Sequence, residues 1–148
     1  MKYTVTLTEV QLEALSYAAD IVARLGIGQI KPALEATPID WKGKCGSVHN
    51  TIELCERLMR NEWVPNLIHN HTSFSIHSKE VKQLSPILYD LHQVFRHQLS
   101  WDRAIADGEA TAPNSKFMMG VSYDTPLQVA ENVPLATIEQ VKEDSDGE

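Results

Sequence analysis

The sequence has little cysteine, no long apolar run and fewer basic than acidic residues, and each shortage excludes a class of protein. Its two cysteines, Cys45 and Cys55, are too few for a disulfide framework. No apolar run approaches the roughly 20 residues of a membrane-spanning helix. The first residues lack the basic segment and apolar core of a secretory leader. We therefore expect free thiols, no membrane span and a location in the reducing cytoplasm.

Acidic residues outnumber basic ones by 20 to 13, and the formal net charge at pH 7 is −7. Broad binding to nucleic-acid phosphates needs a basic surface, so this charge argues against a general nucleic-acid-binding protein. Part of the excess lies in residues 142–148, which we predict to form a solvated, mobile tail. The composition, 43% hydrophobic and 22% charged, is typical of globular proteins, and residues 1–141 are predicted to form one domain.

Hydrophobic periodicity predicts the secondary structure of the first part of the chain. Residues 2–7 alternate between apolar and polar side chains, which is typical of a short strand. Thr8 and Gln11 then form a capping-box pattern at the start of a helix, and Gly26 is predicted to end that helix as a left-handed C-cap. A short second helix is predicted within residues 28–36, where Pro32 fits the first turn.

Two further helices follow in the sequence. The third is predicted from Ser47 or Asn50 to about Asn61, after a loop that covers residues 37–46. The fourth is the longest, with apolar residues at three-four spacing across residues 79–107 and Gly108 as its stop. Proline disfavours a helical conformation at the preceding residue, so this helix either begins at Pro86 or is kinked there.

Short strands are predicted near the C-terminal end, at residues 117–123 and 135–141, and residues 66–77 are ambiguous. The apolar stripe of the long helix is wider than a two-stranded coiled coil needs, which indicates packing on two neighbours. The predicted fold class is therefore α+β: a helix-dominated domain with three or four helices and a few short strands.

Arginine and glutamine side chains provide candidate ligand-binding residues, because a guanidinium binds phosphate through two parallel hydrogen bonds. Arg24 and Gln29 flank the sequence Gly26-Ile27-Gly28, and a helix that starts directly after it presents backbone N–H groups to an anion. Arg96 and Arg103 are seven residues apart and share one face of the long helix. The competing interpretation is an ordinary solvated face.

A histidine-rich segment offers a metal-dependent alternative. His69 and His71 lie two residues apart, so on a strand both rings point to the same side and reach one metal ion. With Thr72 and Ser75 they resemble the His-x-His-Thr-x-x-Ser motif of the polymerase-and-histidinol-phosphatase phosphoesterases. That family continues with Asp-Gly where Ile76-His77 stands here, and the rest of the chain is too short for its barrel. We therefore predict no metal site and keep His69 and His71 as candidate ligand-binding residues.

The remaining patterns of cysteine, histidine and acidic residues give weaker evidence for a metal site or a catalytic site. Cys45, His49 and Cys55 lack the pair of cysteines two to four residues apart that is common in structural zinc sites. Cys55 lies on the apolar side of the third predicted helix, where core packing is the simpler interpretation. The spacing of the six histidines and 20 acidic residues selects no Ser-His-Asp set. The sequence thus favours a protein without a cofactor and without enzymatic activity.

The segment Leu15 to Gln29 ends in Arg-Leu-Gly-Ile-Gly-Gln and resembles a stretch of small uncharacterised phage-encoded proteins. In those proteins a long helix ends in Arg-Leu-Gly-x-Gly-Gln. The helix around residues 89–103 is also similar to theirs, and the likeness covers about two thirds of the chain. The resemblance implies a small cytosolic protein made during infection. Proteins of this kind often act by binding, and some sequester nucleotide signals of host antiviral defence, usually as homo-oligomers.

Three functions follow from the sequence, in this order. The first is a non-enzymatic binding protein, a homo-oligomer that sequesters a nucleotide signal. The second is an acidic inhibitor that binds a host protein directly, with an affinity that weakens with salt. The third is a metal-dependent phosphoesterase that uses His69, His71 and His77.

Overall fold

The computed structural model describes residues 3–36, 45–63 and 73–141, with the backbone alone for residues 45–49 and 63. These described residues form four helices: α1 (Glu9–Gly26), α2 (Lys31–Glu35), α3 (Cys45–Trp63) and α4 (Leu84–Ala106). The predicted acidic tail, the predicted loop at residues 37–44, and His69 and His71 lie outside the described residues.

The start of α1 is the capping box that the sequence predicts. The Thr8 hydroxyl accepts the backbone N–H of Gln11 at 3.3 Å, and the Gln11 side chain accepts the backbone N–H of Thr8 at 2.9 Å. The helix ends at Gly26 as predicted, but Gly26 is not its left-handed cap. Ile27 is the C-cap with φ of −98°, and the left-handed residue is Gly28 with φ of 87°. The prediction placed the left-handed turn two residues too early.

The second helix lies within residues 28–36 as predicted, whereas the third begins earlier than predicted. In α2, Pro32 lies in the first turn as predicted, because its missing N–H is not needed there. By contrast, α3 begins at Cys45, so residues 45–46 are helical and not part of the predicted loop. The apolar spacing alone could not locate this start, since helix ends depend on local capping contacts.

The long helix α4 begins at Leu84, five residues after the predicted start of the apolar pattern. Pro86 lies in its first turn, where the backbone N–H has no intrahelical acceptor to lose, so the helix begins before the proline without a break. At the other end Gly108 has φ of 73°, which confirms it as the stop of this helix.

The core lies between α1 and α4. Small side chains on α1 let the two helices approach closely: Ser16, Ala19 and Ala23 are buried. The two helices also lie close together at the end of α1, because a Cβ added at Gly26 would overlap the Ser85 hydroxyl. The buried residues of α4 are Ser85, Asp90, Gln93, Val94, Leu99, Trp101 and Ala104.

A second part of the core forms where the chain returns after α4. Trp101 is 2% exposed and packs with Ala104, Ala110 and the half-buried Met118 and Tyr123. The Trp101 and Tyr123 rings meet edge to face, with centroids 5.2 Å apart. The segment after α4 is therefore held against the helix.

The α+β prediction is wrong for the described residues, which contain helices and no strand or sheet. Residues 3–7, 117–123 and 135–141 were the expected strands, and none of them is assigned as a strand. The physical reason for the absence of a strand is clearest in the segment after α4. There the Val121 carbonyl and the N–H groups of Leu127, Val129 and Ala130 bond to side chains of α4, so these backbone groups are satisfied without a neighbouring strand.

Candidate functional site

Six polar side chains from α1, α4 and two connecting segments meet at the C-terminal half of α1. We call them the polar cluster; they are Ser16, Asp20, Arg24, Gln29, Ser73 and His92. Two of the candidate ligand-binding residues, Arg24 and Gln29, belong to it. The turn at Gly28 brings Gln29 back beside Arg24, since Gln29 donates its backbone N–H to the Arg24 carbonyl at 2.9 Å.

Arg24 is at the centre of the polar cluster. Its Nε lies 2.9 and 2.8 Å from the two carboxylate oxygens of Asp20, one helical turn earlier. Its Nη1 donates to Gln29 Oε1 at 3.0 Å, and Gln29 Nε2 lies 3.4 Å from Ser73 Oγ. The Arg24 side chain is 44% exposed, whereas that of Asp20 is 18% exposed. The Arg24 side chain therefore remains partly accessible, and the Asp20 carboxylate holds its guanidinium in place.

Ser73 is positioned by the backbone. The N–H of Phe74 donates to the carbonyl of Ile27 at 2.9 Å, which ties the segment before α4 to the turn after α1. This contact brings Ser73 next to Gln29 although the two residues are 44 positions apart. The chain positions that immediately precede Ser73 include His69 and His71, which lie outside the described residues.

His92 closes the inner side of the polar cluster, and its Nδ1 does not act as a base toward the Ser16 hydroxyl. Its Nδ1 lies 3.0 Å from the Ser16 carbonyl and 3.1 Å from Ser16 Oγ. A carbonyl only accepts hydrogen bonds, so Nδ1 carries the proton and cannot take one from the Ser16 hydroxyl. Its Nε2 is 3.9 Å from Asp20, too far for a hydrogen bond. The three side chains do not form a proton relay.

Burial lowers the pKa of His92 below its usual value of 6.5, because a buried imidazolium loses its hydration. Asp20 and the hydrogen bond to Ser16 oppose this effect and raise the pKa, while Arg96 and Arg24 lower it further. The neutral form is therefore favoured, and the polar cluster then contains one carboxylate, one guanidinium and several neutral donors and acceptors.

The other candidate arginines lie elsewhere. Arg103 forms ion pairs with Glu9 at 2.8 Å and Glu13 at 3.0 Å, near the start of α1. These contacts raise its pKa above the usual value, through the hydrogen bond to Glu9 first. Arg96 donates from Nη2 to the Val121 carbonyl at 3.0 Å. The two side chains thus contact different parts of the chain.

Along α4, three side chains hold the returning segment. The Asp90 carboxylate accepts the N–H groups of Val129 and Ala130, and the Gln93 amide both donates to and accepts from the backbone of Leu127. Arg96, three residues further along α4, donates to the Val121 carbonyl. Asp90 and Gln93 are buried, so this face of α4 has a structural role.

A cavity of about 330 Å³ opens between the end of α1 and the start of α4. Val22, Leu25 and Leu84 provide apolar walls, and Glu80 and Lys82 lie at its polar side. Hydrogen bonding from Ser78 lowers the pKa of Glu80, which keeps this carboxylate charged.

Sequence reasoning did not find Ser16 or Asp20. The signal for Asp20 was present, because Asp and Arg four residues apart on a helix form an ion pair. Ser16 and His92 are 76 residues apart, and a single sequence does not show which helix faces meet. Among the described residues, no three His, Cys, Asp or Glu side chains are grouped so that they could hold a metal ion.

Comparisons of the chain with family models, with curated proteins and with solved structures gave no match. The similarity to phage-encoded proteins therefore stays a prediction. None of the helices in the described part of the chain combines the length and apolar character needed to cross a lipid bilayer.

Proposed function

We propose that the protein is a non-enzymatic binding protein whose ligand-binding residues are those of the polar cluster. The observation that carries the proposal is the Arg24 side chain, which is 44% exposed and whose guanidinium is held by Asp20 and Gln29 from two sides. A positioned and accessible guanidinium binds a phosphate or carboxylate at a lower entropic cost than a mobile one.

The hydrogen-bond donors and acceptors of the polar cluster indicate which class of ligand it binds. Arg24 offers donors to phosphate oxygens, Asp20 offers acceptors to sugar hydroxyls, and Gln29 and Ser73 offer both kinds of partner. A nucleotide has all three complementary groups. This supports the function implied by the resemblance to phage proteins: sequestration of a nucleotide signal of host antiviral defence, by a homo-oligomer in the host cytoplasm.

Within the polar cluster, the geometry of His92 leaves the Ser16 hydroxyl without a base. Its protonated Nδ1 faces the Ser16 carbonyl, so the imidazole that lies closest to a hydroxyl is not available as a base for it. The polar cluster thus has recognition groups but no activated nucleophile among the residues that compose it.

Isothermal titration of the full chain against cyclic dinucleotides and ADP-ribose derivatives tests the proposal. We expect micromolar or tighter binding to at least one of these ligands, and a loss of at least about tenfold in affinity for Arg24→Ala. Arg103→Ala is the matched control, because Arg103 is 48% exposed and also ion-paired, at the opposite end of α1. An equal loss in both variants, or no binding to any ligand, would overturn the proposal.

A second candidate function is direct inhibition of a host protein. Phe117 and Met119 are both 87% exposed, while Met118 between them packs against the core. Such apolar side chains on an acidic protein fit a partner with a basic rim around an apolar centre. A pull-down from host lysate is expected to retain this partner at low salt and to lose it with Phe117→Ser. A complex that survives both changes would contradict this candidate.

A further inference from the structure

The outer side of α1 has an unusual surface. Six exposed apolar residues lie along the side of α1 opposite its buried residues; they are Val10, Ala14, Leu15, Tyr17, Ala18 and Val22, and we call them the α1 apolar face. Val22, at one edge of this face, also lines the cavity next to Leu84. All six are exposed. An amphipathic helix normally turns such a face toward the core, so this one has its apolar residues on both sides.

The charged residues of α1 lie outside this face. Glu9 and Glu13 lie toward α4, where they pair with Arg103. Asp20 and Arg24 pair with each other beside His92. A helix whose outer side served only to face water would place its charges there, because charged side chains are readily hydrated. This distribution of charged and apolar residues is typical of a helix whose outer side packs against an apolar partner.

We infer that the α1 apolar face is a subunit interface, on which α1 of a second copy of this chain packs in antiparallel orientation. This inference specifies the homo-oligomer of the proposed function by naming its contact surface. It does not depend on which ligand is bound, so the failure of a nucleotide titration leaves it unaffected.

The area of the face fits a dimer. Val10 is 74% exposed, Tyr17 56%, Leu15 47% and Val22 42%. With the two alanines, the exposed apolar surface amounts to roughly 500 Å² per copy, more than half of the ~800 Å² per partner that a standard interface buries. An exposed apolar patch of this size is often functional. The polar rim of the interface would supply the remaining area.

Self-association fits the charge and shape of the face better than a charged partner does. Each copy has a net charge of −7, and two such copies can meet only where no carboxylates face each other. The α1 apolar face contains no charged residue. Ala14 and Ala18 lie at its centre, one turn apart, and let two helix backbones approach closely between the larger side chains at the edges.

The antiparallel orientation follows from the helix dipole and the shape of the residues. Antiparallel helices place the positive end of one beside the negative end of the other. With Ala18 near the twofold axis, Ala14 of each copy faces Val22 of the partner copy, so small side chains lie opposite large ones. In a parallel pair each Tyr17 would face its own copy, and the two bulky rings would hold the helices apart.

Sedimentation equilibrium of the full chain over a range of concentrations tests the interface. We expect a dimer for the wild type and at least a tenfold larger dissociation constant for Ala18→Glu, which puts a carboxylate at the centre of the interface. Asn61→Glu is the matched control, since it adds the same charge at an exposed position of α3. Circular dichroism checks that both variants remain helical. A monomeric wild type, or equal weakening by both variants, would overturn the inference.

Cysteine cross-linking tests the orientation. In a chain whose Cys45 and Cys55 are replaced by serine, Ala18→Cys is expected to form a disulfide-linked dimer, because this residue lies at the twofold axis. Ala14→Cys is expected to remain reduced, since the two copies of residue 14 lie about 12 Å apart along antiparallel helices. Efficient cross-linking of both variants would indicate a parallel pair, and absence of a cross-link at residue 18 would rule out this register.

Discussion

The Asp90 carboxylate of α4 accepts the backbone N–H of Ala130 at 2.9 Å, and both residues are buried. The same carboxylate lies 3.0 and 3.1 Å from the backbone nitrogen of Val129. A side chain of the longest helix thus provides the acceptors that a neighbouring strand would provide in a sheet. This contact explains how residues 121–130 stay ordered against α4 without strand pairing.

Asp90→Ala is expected to destabilise the fold strongly, because it leaves two N–H groups of the returning segment without an acceptor. The expected loss in the free energy of unfolding is about 2–4 kcal/mol, since each unsatisfied buried donor costs about 1–3 kcal/mol. Urea denaturation followed by circular dichroism measures it. Asp124→Ala removes an exposed carboxylate from the same segment and is expected to change stability by less than about 0.5 kcal/mol. Similar losses in the two variants would contradict the role of Asp90.

Gly26→Ala is expected to destabilise the contact between α1 and α4 by about 1–3 kcal/mol, because the added methyl group overlaps the Ser85 hydroxyl. Gly26 does not have a positive φ, so backbone strain does not contribute to the loss. The decisive measurement is a double-mutant cycle on thermal unfolding. Ser85→Gly removes the obstructing side chain and is expected to recover part of the stability of Gly26→Ala. Strict additivity of the two changes would show that the overlap is not the cause.

The helices were predictable because their signals are local. The capping box of Thr8 and Gln11, the proline in the first turn of α2 and the stop at Gly108 each depend on residues within one or two turns. The strands were predicted from alternation, which is also local, but a strand needs a partner from elsewhere in the chain. In the predicted strand 117–123, the Val121 carbonyl accepts from the Arg96 side chain of α4 instead, and no sequence pattern indicates that exchange.

The polar cluster, too, could be predicted from the sequence only where its residues are close together in the chain. Arg24 and Gln29 were identified from their residue types and their place beside a glycine turn, and the structure brings them together. Their neighbours come from distant positions: Ser73 is placed by the hydrogen bond between Phe74 and Ile27, and His92 by the packing of α1 on α4. Arg96 and Arg103 share a helix in the sequence, but their partners differ because α4 contacts α1 and the returning segment along different lines.

Arg103→Ala is expected to reduce the free energy of unfolding by less than about 1 kcal/mol, because its two ion pairs are solvent-exposed. The loss should shrink further in about 1 M salt, where screening acts over roughly 3 Å. Denaturation at low and high ionic strength measures the difference. A loss that does not change with salt would mean that Arg103 stabilises the helix pair by packing and not by charge.

The stability contributed by His92 is expected to depend on pH. Burial lowers the pKa of the folded protein's His92 below 6.5, so at acidic pH the unfolded chain binds this proton more readily than the folded one. The contribution of the neutral imidazole is therefore fully present above about pH 6.5 and is lost as the pH falls through that value toward the lowered pKa. The free energy of unfolding of the wild type should decline over this range.

His92→Gln isolates this effect, because glutamine keeps a donor for the Ser16 carbonyl but does not titrate. The variant is expected to lose less stability than the wild type between pH 7.5 and pH 5.5 when unfolding is measured by urea at each pH. His77→Gln is the control, since His77 lies exposed before α4 and outside the polar cluster. If His92→Gln and the wild type show parallel pH profiles while His77→Gln does not, the buried imidazole is not the titrating group.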